Sequence, residues 1–349
     1  TGSRYPVIFG TELLQANVNR GDALLQPQVM ESVRQVLDRF QAMGIQGVTI
    51  AVHYPVYTPT YPRYTEYVAF YKQVASEVHN RGMKLCVENH ILFANTVYSP
   101  VTWNYARVTF DQYKVQKKEM VQAIIRDLKP EYLDISAEPD TEYALTGWKD
   151  MASPERHVEL VNYILDDLDR ETTKIGAGVG TWGNITYSED YAADSNLDFV
   201  SVHVYPVYGD GLSNIDKIAT IARLHSKAVI MDEAWLYKTE SSLTPLSGAT
   251  NAAAFGLDIF SFFEPLDQEF IQTITRAAQK DGIGYISPFW STNFFGYVDY
   301  SPQIDAMNYG NRAAALDGIA AGAIRNGTLS SLGEYYSNLI RGSSPTHQP

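Results

Sequence analysis

Short apolar runs and amphipathic stretches alternate about eight times along this chain of 349 residues. The runs are Tyr5–Phe9, Gly47–Val52, Lys84–Glu88, Tyr132–Ser136, Lys174–Val179, Phe199–His203, Ala228–Asp232 and Ile283–Phe289. Each has the length and continuous apolarity of a strand buried on both faces. Between them, apolar residues recur at helical spacing, as in Val29, Val33, Val36, Leu37 and Phe40, or in Ile215, Ile218, Ile221, Ala222 and Leu224. Gly44 is placed to end the first helix, and Ser153-Pro154-Glu155 supplies a cap residue with proline at the first helical position. Eight such βα units predict a parallel sheet covered by helices and closed on itself, an α/β fold of the TIM (β/α)8 barrel type. A single barrel domain over residues 1–341 accounts for the length, and residues 342–349 read as a flexible tail.

Composition narrows what such a barrel does. A formal net charge of −13 opposes a nucleic-acid surface, which needs basic groups to replace counterions, and it opposes an anionic membrane surface equally. No apolar stretch approaches the ~20 residues needed to cross a bilayer. The single cysteine, Cys86, lies in a strand-like run and reads as a small buried hydrophobe. The chain starts at Thr1 without a visible signal peptide, as a processed form would, and an extracellular or periplasmic location is expected. A monomer acting on carbohydrate, with no cofactor, no metal, no nucleic acid and no membrane partner, is the expectation.

The links differ by direction. Helix-to-strand links are short, such as Gly44-Ile45-Gln46, Asn80-Arg81-Gly82 and Asp281-Gly282. Strand-to-helix links are long and aromatic: Tyr54, Tyr57, Tyr61 and Tyr64 after strand two; Phe93, Tyr98, Trp103 and Tyr105 after strand three; Phe294, Phe295, Tyr297 and Tyr300 after strand eight. After strand seven, the segment from Trp235 to about Pro265 is rich in Ser, Thr, Gly and Ala. Barrel active sites are built from these loops at the strand C-terminal ends. Aromatic faces there suit sugar rings, although tyrosines also fill loop cores.

Two glutamates carry the chemistry. Glu138 in Ser136-Ala137-Glu138-Pro139 and Glu233 in Met231-Asp232-Glu233-Ala234 each follow a strand-like run. They stand 95 positions apart, room for roughly three βα units of ~30 residues, which puts them on a fourth and a seventh strand. Paired carboxyls at one barrel mouth hydrolyse glycosidic bonds, one donating a proton to the leaving oxygen while the other attacks the anomeric carbon. A structural ion pair at the mouth is the bland alternative.

The chain resembles the clan A retaining glycosidases, the barrel enzymes that include cellulase-like, mannanase-like and endo-galactanase families. Glu138-Pro139 is similar to the clan's acid/base motif and Glu233 to its nucleophile. His203-Val204-Tyr205 after strand six matches a His-x-Tyr element, and Trp290 after strand eight matches the residue flooring the catalytic subsite. His90, or Asn89 beside it, fills a common polar position after strand three. The resemblance implies a retaining double displacement on β-linked glycans, with Glu138 protonated as acid and then base, and Glu233 ionised. Tyr205 would hold Glu233, and His203 would assist either carboxylate. Asp134 reads as paired in the barrel interior. Asp232 and Glu12 read as secondary polar residues, and Glu88 competes for either carboxylate role.

The chain departs from the clan at two places. Ala137 stands where the clan usually carries an Asn that contacts the sugar 2-hydroxyl, leaving Asn89, His90 and Asn184 as substitutes. Strand two offers His53 instead of the arginine of cellulase-like members. With Trp235 after strand seven, these complete the expected substrate-binding set. Two other classes remain open. Glu88, His90, Glu138, His203, Asp232 and Glu233 also suit a divalent metal in a sugar isomerase or hydrolase. A non-catalytic carbohydrate-binding barrel would use the same mouth without turnover.

Overall fold

A computed structural model describes residues 5–206, 210–238 and 256–343. Eight parallel strands close into a barrel in sequence order: β1 Ile8–Glu12, β2 Gly47–Ala51, β3 Lys84–Glu88, β4 Tyr132–Asp134, β5 Lys174–Gly180, β6 Phe199–Val204, β7 Ala228–Ala234 and β8 Ile283–Pro288. The surrounding helices are α1 Pro27–Met43, α2 Tyr64–Asn80, α3 Phe110–Leu128, α4 Pro139–Thr146, α5 Pro154–Leu165, α6 Thr186–Asp194, α7 Gly211–Leu224 and α8 Glu264–Asp281. Beyond β8 come α9 Tyr309–Asn326 and α10 Ser331–Ser343. Among the described residues, no helix is long and apolar enough to cross a membrane.

The expected helix boundaries have their chemistry in place. Gly44 ends α1 in the left-handed region at φ 89°, a conformation that only glycine adopts cheaply. The Ser153 side chain accepts from the Arg156 amide at the head of α5, with Pro154 behind it. Of the tail expected over 342–349, Gly342 and Ser343 belong to α10, and 344–349 lie outside the described residues.

β1 is the one strand misplaced by the apolar pattern. It runs Ile8–Glu12 rather than Tyr5–Phe9 because Thr11 and Glu12 are polar yet buried. The Thr11 hydroxyl donates to the Pro288 carbonyl at 2.8 Å, and Glu12 accepts from Asn17 at 3.4 Å. Two polar side chains turned into the barrel interior at the end of the strand remove the apolar signal there.

The lower barrel interior is a packed layer of Cys86, Phe199, Ile230 and Tyr285. Gly10 and Gly47 make room for the Tyr285 ring, since a Cβ at Gly10 would fall 2.3 Å from its hydroxyl. Side chains alternate along each strand, so residues two apart point the same way. That period carries the interior upward from Cys86 to Glu88 and His90, and from Ser201 to His203 and Tyr205. The aromatic loops mostly fill themselves: Tyr54, Tyr57, Tyr61 and Tyr105 are buried, with Tyr54 edge-on to Tyr113 at 4.9 Å.

Candidate active site

The C-terminal ends of the strands surround an open cavity of about 940 Å³. His53, Glu88, His90, Glu138, Tyr205, Glu233 and Trp290 all line it. They come from six different strand ends, which is how a barrel assembles groups distant in sequence.

Glu138 and Glu233 each place a carboxylate oxygen within 4.8 Å of the other and of a His203 ring nitrogen. Nδ1 of His203 lies 2.7 Å from Oε1 of Glu138 and 3.8 Å from Oε2 of Glu233. The Tyr205 hydroxyl donates to Oε1 of Glu233, and its ring stacks on Tyr237 at 4.5 Å. Local backbone geometry makes this possible. His203 pairs with Glu233 across β6 and β7, but Ser201 pairs with Ile230, so β7 carries one extra residue between the two pairs. Such a bulge lets the adjacent residues Asp232 and Glu233 both approach His203, where a regular strand would send them to opposite faces.

Burial pushes the Glu233 carboxyl up to about 7, the charge of Glu138 adding to it, while His203 and the Tyr205 hydrogen bond pull it down. Burial disfavours a charged His203, yet the charges of Glu233 and Asp232 and the hydrogen bond to Glu138 outweigh it and lift the imidazole to about 10. His203 is therefore an imidazolium lying between Glu138 and Glu233.

Below this pair lies a second tier of acids, all buried: Glu12, Glu88, Asp134 and Asp232. Burial raises the pKa of each, and mutual repulsion raises Glu88 and Asp232 further. Nε2 of His203 faces Oε1 of Glu88 at 3.7 Å and Oδ1 of Asp232 at 3.6 Å. Asp134 is paired inside the barrel, accepting from the Ser201 hydroxyl and from the Ser136 amide at 2.9 Å. Among the described residues, three sets have ligand atoms close enough for a divalent cation: Glu88–His90–His203, Asp134–His203–Asp232 and Glu138–His203–Glu233. All three share His203, whose Nδ1 is committed to Glu138, so a cation could use only the Nε2 side without breaking that bond.

The other expected contacts divide. The His53 ring stacks on His90 at 5.2 Å, and its Nδ1 accepts from the His90 amide at 3.1 Å. Burial and the nearby Lys117 drop His53 to about 3, so it is neutral, and His90 is lowered in the same way. Two residues are directed elsewhere. The Asn89 amide is fully buried and donates to the Val52 carbonyl, because residue 89 alternates away from the interior face that holds Glu88 and His90. Trp235 is fully buried under the Lys238 ammonium, 4.9 Å from its ring, and does not line the cavity. Asn184 is on the surface, accepting from the Thr186 amide, which leaves His90 as the remaining substitute for the side chain Ala137 lacks. The segment after Trp235 falls largely at 239–255, outside the described residues.

Trp182 was not singled out by sequence. It lies two residues beyond β5, lines the cavity, donates from Nε1 to Asp140 at 3.0 Å and meets the Tyr205 ring at 5.6 Å. The aromatic-after-strand rule, applied to strand five, points to it.

A closed parallel barrel with paired carboxylates at its C-terminal mouth has the fold of the clan A glycoside hydrolases. The chain matches no family model and no curated protein by sequence. Among solved structures it is similar to the exo-β-1,4-mannosidase Op5Man5 from Opitutaceae bacterium strain TAV5, at TM-score 0.60 and 14% identity over 99% of this chain. It spans only 60% of that mannosidase. It is similar also to GH5_18 from Bifidobacterium longum subsp. longum, at TM-score 0.63 and 12% identity over 99% of this chain and 80% of that one. An apo β-glucosidase, 1317, gives TM-score 0.56 and 13% identity over 99% of both chains.

Proposed function

We propose that this chain is a retaining β-glycosidase, with Glu233 as nucleophile and Glu138 as acid/base. The observation that carries it is the approach of the two carboxyls to within 4.8 Å around His203. An approach this close favours the about 5–5.5 Å carboxyl separation of retaining enzymes over the about 6.5–9.5 Å of inverting ones. In the first step Glu233 attacks the anomeric carbon as the bond to the leaving oxygen breaks, and that oxygen takes the Glu138 proton. In the second, Glu138 removes a proton from water, the water oxygen bonds to the anomeric carbon, and Glu233 departs.

The neighbouring groups fit these roles. Tyr205 keeps Glu233 in one rotamer and favours its ionised form. The His203 imidazolium orients both glutamates, donating from Nδ1 to Oε1 of Glu138 and leaving the other Glu138 oxygen to carry the acid proton. Trp290 offers a flat face to the reacting sugar, and Trp182, beside Asp140 in the Glu138 loop, faces the leaving group. Mannosidase and β-glucosidase neighbours favour β-manno- or β-gluco-configured substrates. Release of p-nitrophenol from the β-mannoside, β-glucoside or β-galactoside, lost in Glu233→Ala, tests the reading. Sugar binding without turnover, unchanged by neutralising either glutamate, would instead indicate a carbohydrate-binding barrel.

A further inference from the structure

The cavity does not stop at the catalytic mouth. It continues past Asn19 and Arg20 of the loop after β1 and runs between α1 and α9. One wall is the polar face of α1, carrying Gln28, Glu31, Ser32 and Gln35, an i, i+3, i+4, i+7 set on one side of the helix. The other is the row Ala313, Asp317, Ala321 and Arg325 of α9, at intervals of four. At the far end Arg39 of α1 donates to the Ile324 carbonyl of α9 at 2.8 Å and ties the two helices together. From Gln28 to Gln35 the α1 wall alone runs about 10 Å at 1.5 Å per residue, longer than one pyranose ring.

Its chemistry and direction fit a sugar chain. Amide, hydroxyl, carboxylate and guanidinium groups face a space that alanines keep open, and such groups pair with the hydroxyls of a saccharide. Phe93, Tyr98 and Tyr309 stand where this trench meets the mouth, with Tyr98 and Tyr309 edge to face at 6.1 Å. The trench leaves on the β8–β1 side of the barrel, opposite β4, whose tip carries Glu138. A general acid stands on the leaving-group side of the scissile bond. The trench therefore lies on the other side, where the non-reducing part of a glycan extends.

We infer that the α1–α9 trench binds the non-reducing sugar units of a β-linked oligosaccharide, making the preferred substrate a chain rather than a monoglycoside. This rests on the glycosidase reading for its orientation, but its test separates the two. Aryl β-1,4-gluco- and β-1,4-manno-oligosaccharides of increasing length are compared as substrates, and the free oligosaccharides are titrated calorimetrically. In one of the two series, kcat/KM should rise at least about tenfold as glycone units are added, which is ~1.4 kcal/mol of extra transition-state binding. Ala321→Trp, which fills the trench, should remove most of that rise. Ser32→Tyr, on the exposed opposite wall, serves the same purpose should Ala321→Trp fail to fold. Turnover with no dependence on glycone length in either series would overturn the trench and leave the glycosidase reading standing. Oligosaccharide binding that Ala321→Trp weakens, in the absence of any hydrolysis, would uphold the trench and sink the glycosidase reading. Binding that neither trench variant changes would overturn the trench.

Discussion

Nδ1 of His203 lies 2.7 Å from Oε1 of Glu138, while its other nitrogen faces Glu88 and Asp232 at 3.7 and 3.6 Å. One imidazolium thus couples the reacting carboxylates to the acids beneath them. It also makes the site's charge state a property of the fold.

Stability should therefore depend on pH in a defined direction. His203 titrates near 10 in the fold, against about 6.5 for free histidine in an unfolded chain. A raised pKa contributes stability that is fully present below about 6.5 and is lost as pH rises through 10. Glu233, at about 7 against about 4.3 unfolded, has the same sign over a lower window, its contribution fading as pH rises from about 4.3 through 7. Thermal melts should show Tm falling from pH 5 to pH 10. The slope above pH 7 should flatten in His203→Gln, and an unchanged slope in that variant would contradict a charged His203.

The two glutamates should fail differently. Glu233→Ala should abolish turnover on all substrates, since no covalent intermediate forms. Glu138→Ala should retain activity on aryl glycosides whose leaving groups need little protonation, and added azide should increase it. Equal, unrescued losses measured with dinitrophenyl and alkyl glycosides would contradict separate roles.

Much of this arrangement was legible in the sequence because it follows strand order. Glu138, His203, Tyr205, Glu233 and Trp290 each sit at or just past the end of a continuous apolar run. What was hidden needed three-dimensional information. The extra residue in β7 that lets Asp232 and Glu233 share His203 leaves no mark in the apolar pattern. Asn89 and His90 are adjacent, and only the register of β3 decides which one faces the interior. The buried polar pair Thr11 and Glu12 disguised the end of β1. The loop tyrosines suit either sugar contact or loop cores by sequence, and the packing of Tyr54, Tyr57, Tyr61 and Tyr105 decides for the latter. The trench depends on where α9 docks after β8, which no local pattern specifies.

Tyr205→Phe removes a hydrogen bond to a carboxylate. Such bonds are worth about 1.5–3 kcal/mol, which would appear as a fall of roughly 10–100-fold in kcat/KM. Because that bond lowers the Glu233 pKa, the acidic limb of the pH–rate profile should also move to higher pH. A limb that stays in place would separate Tyr205 from Glu233.

Prolonged dialysis against EDTA should leave hydrolysis of aryl glycosides unchanged. Loss of activity restored by a divalent cation would instead assign His203 and its carboxylates to a metal site.

The most direct test of the account is the configuration of the first product. Proton NMR during hydrolysis of an aryl β-glycoside, recorded before mutarotation, should show the β-anomer appearing first. A 2-deoxy-2-fluoro analogue should leave its sugar covalently on the peptide containing Glu233 in mass spectrometry. An α-anomer as the first product, with no labelled peptide, would contradict the double displacement and with it the roles given to Glu138 and Glu233.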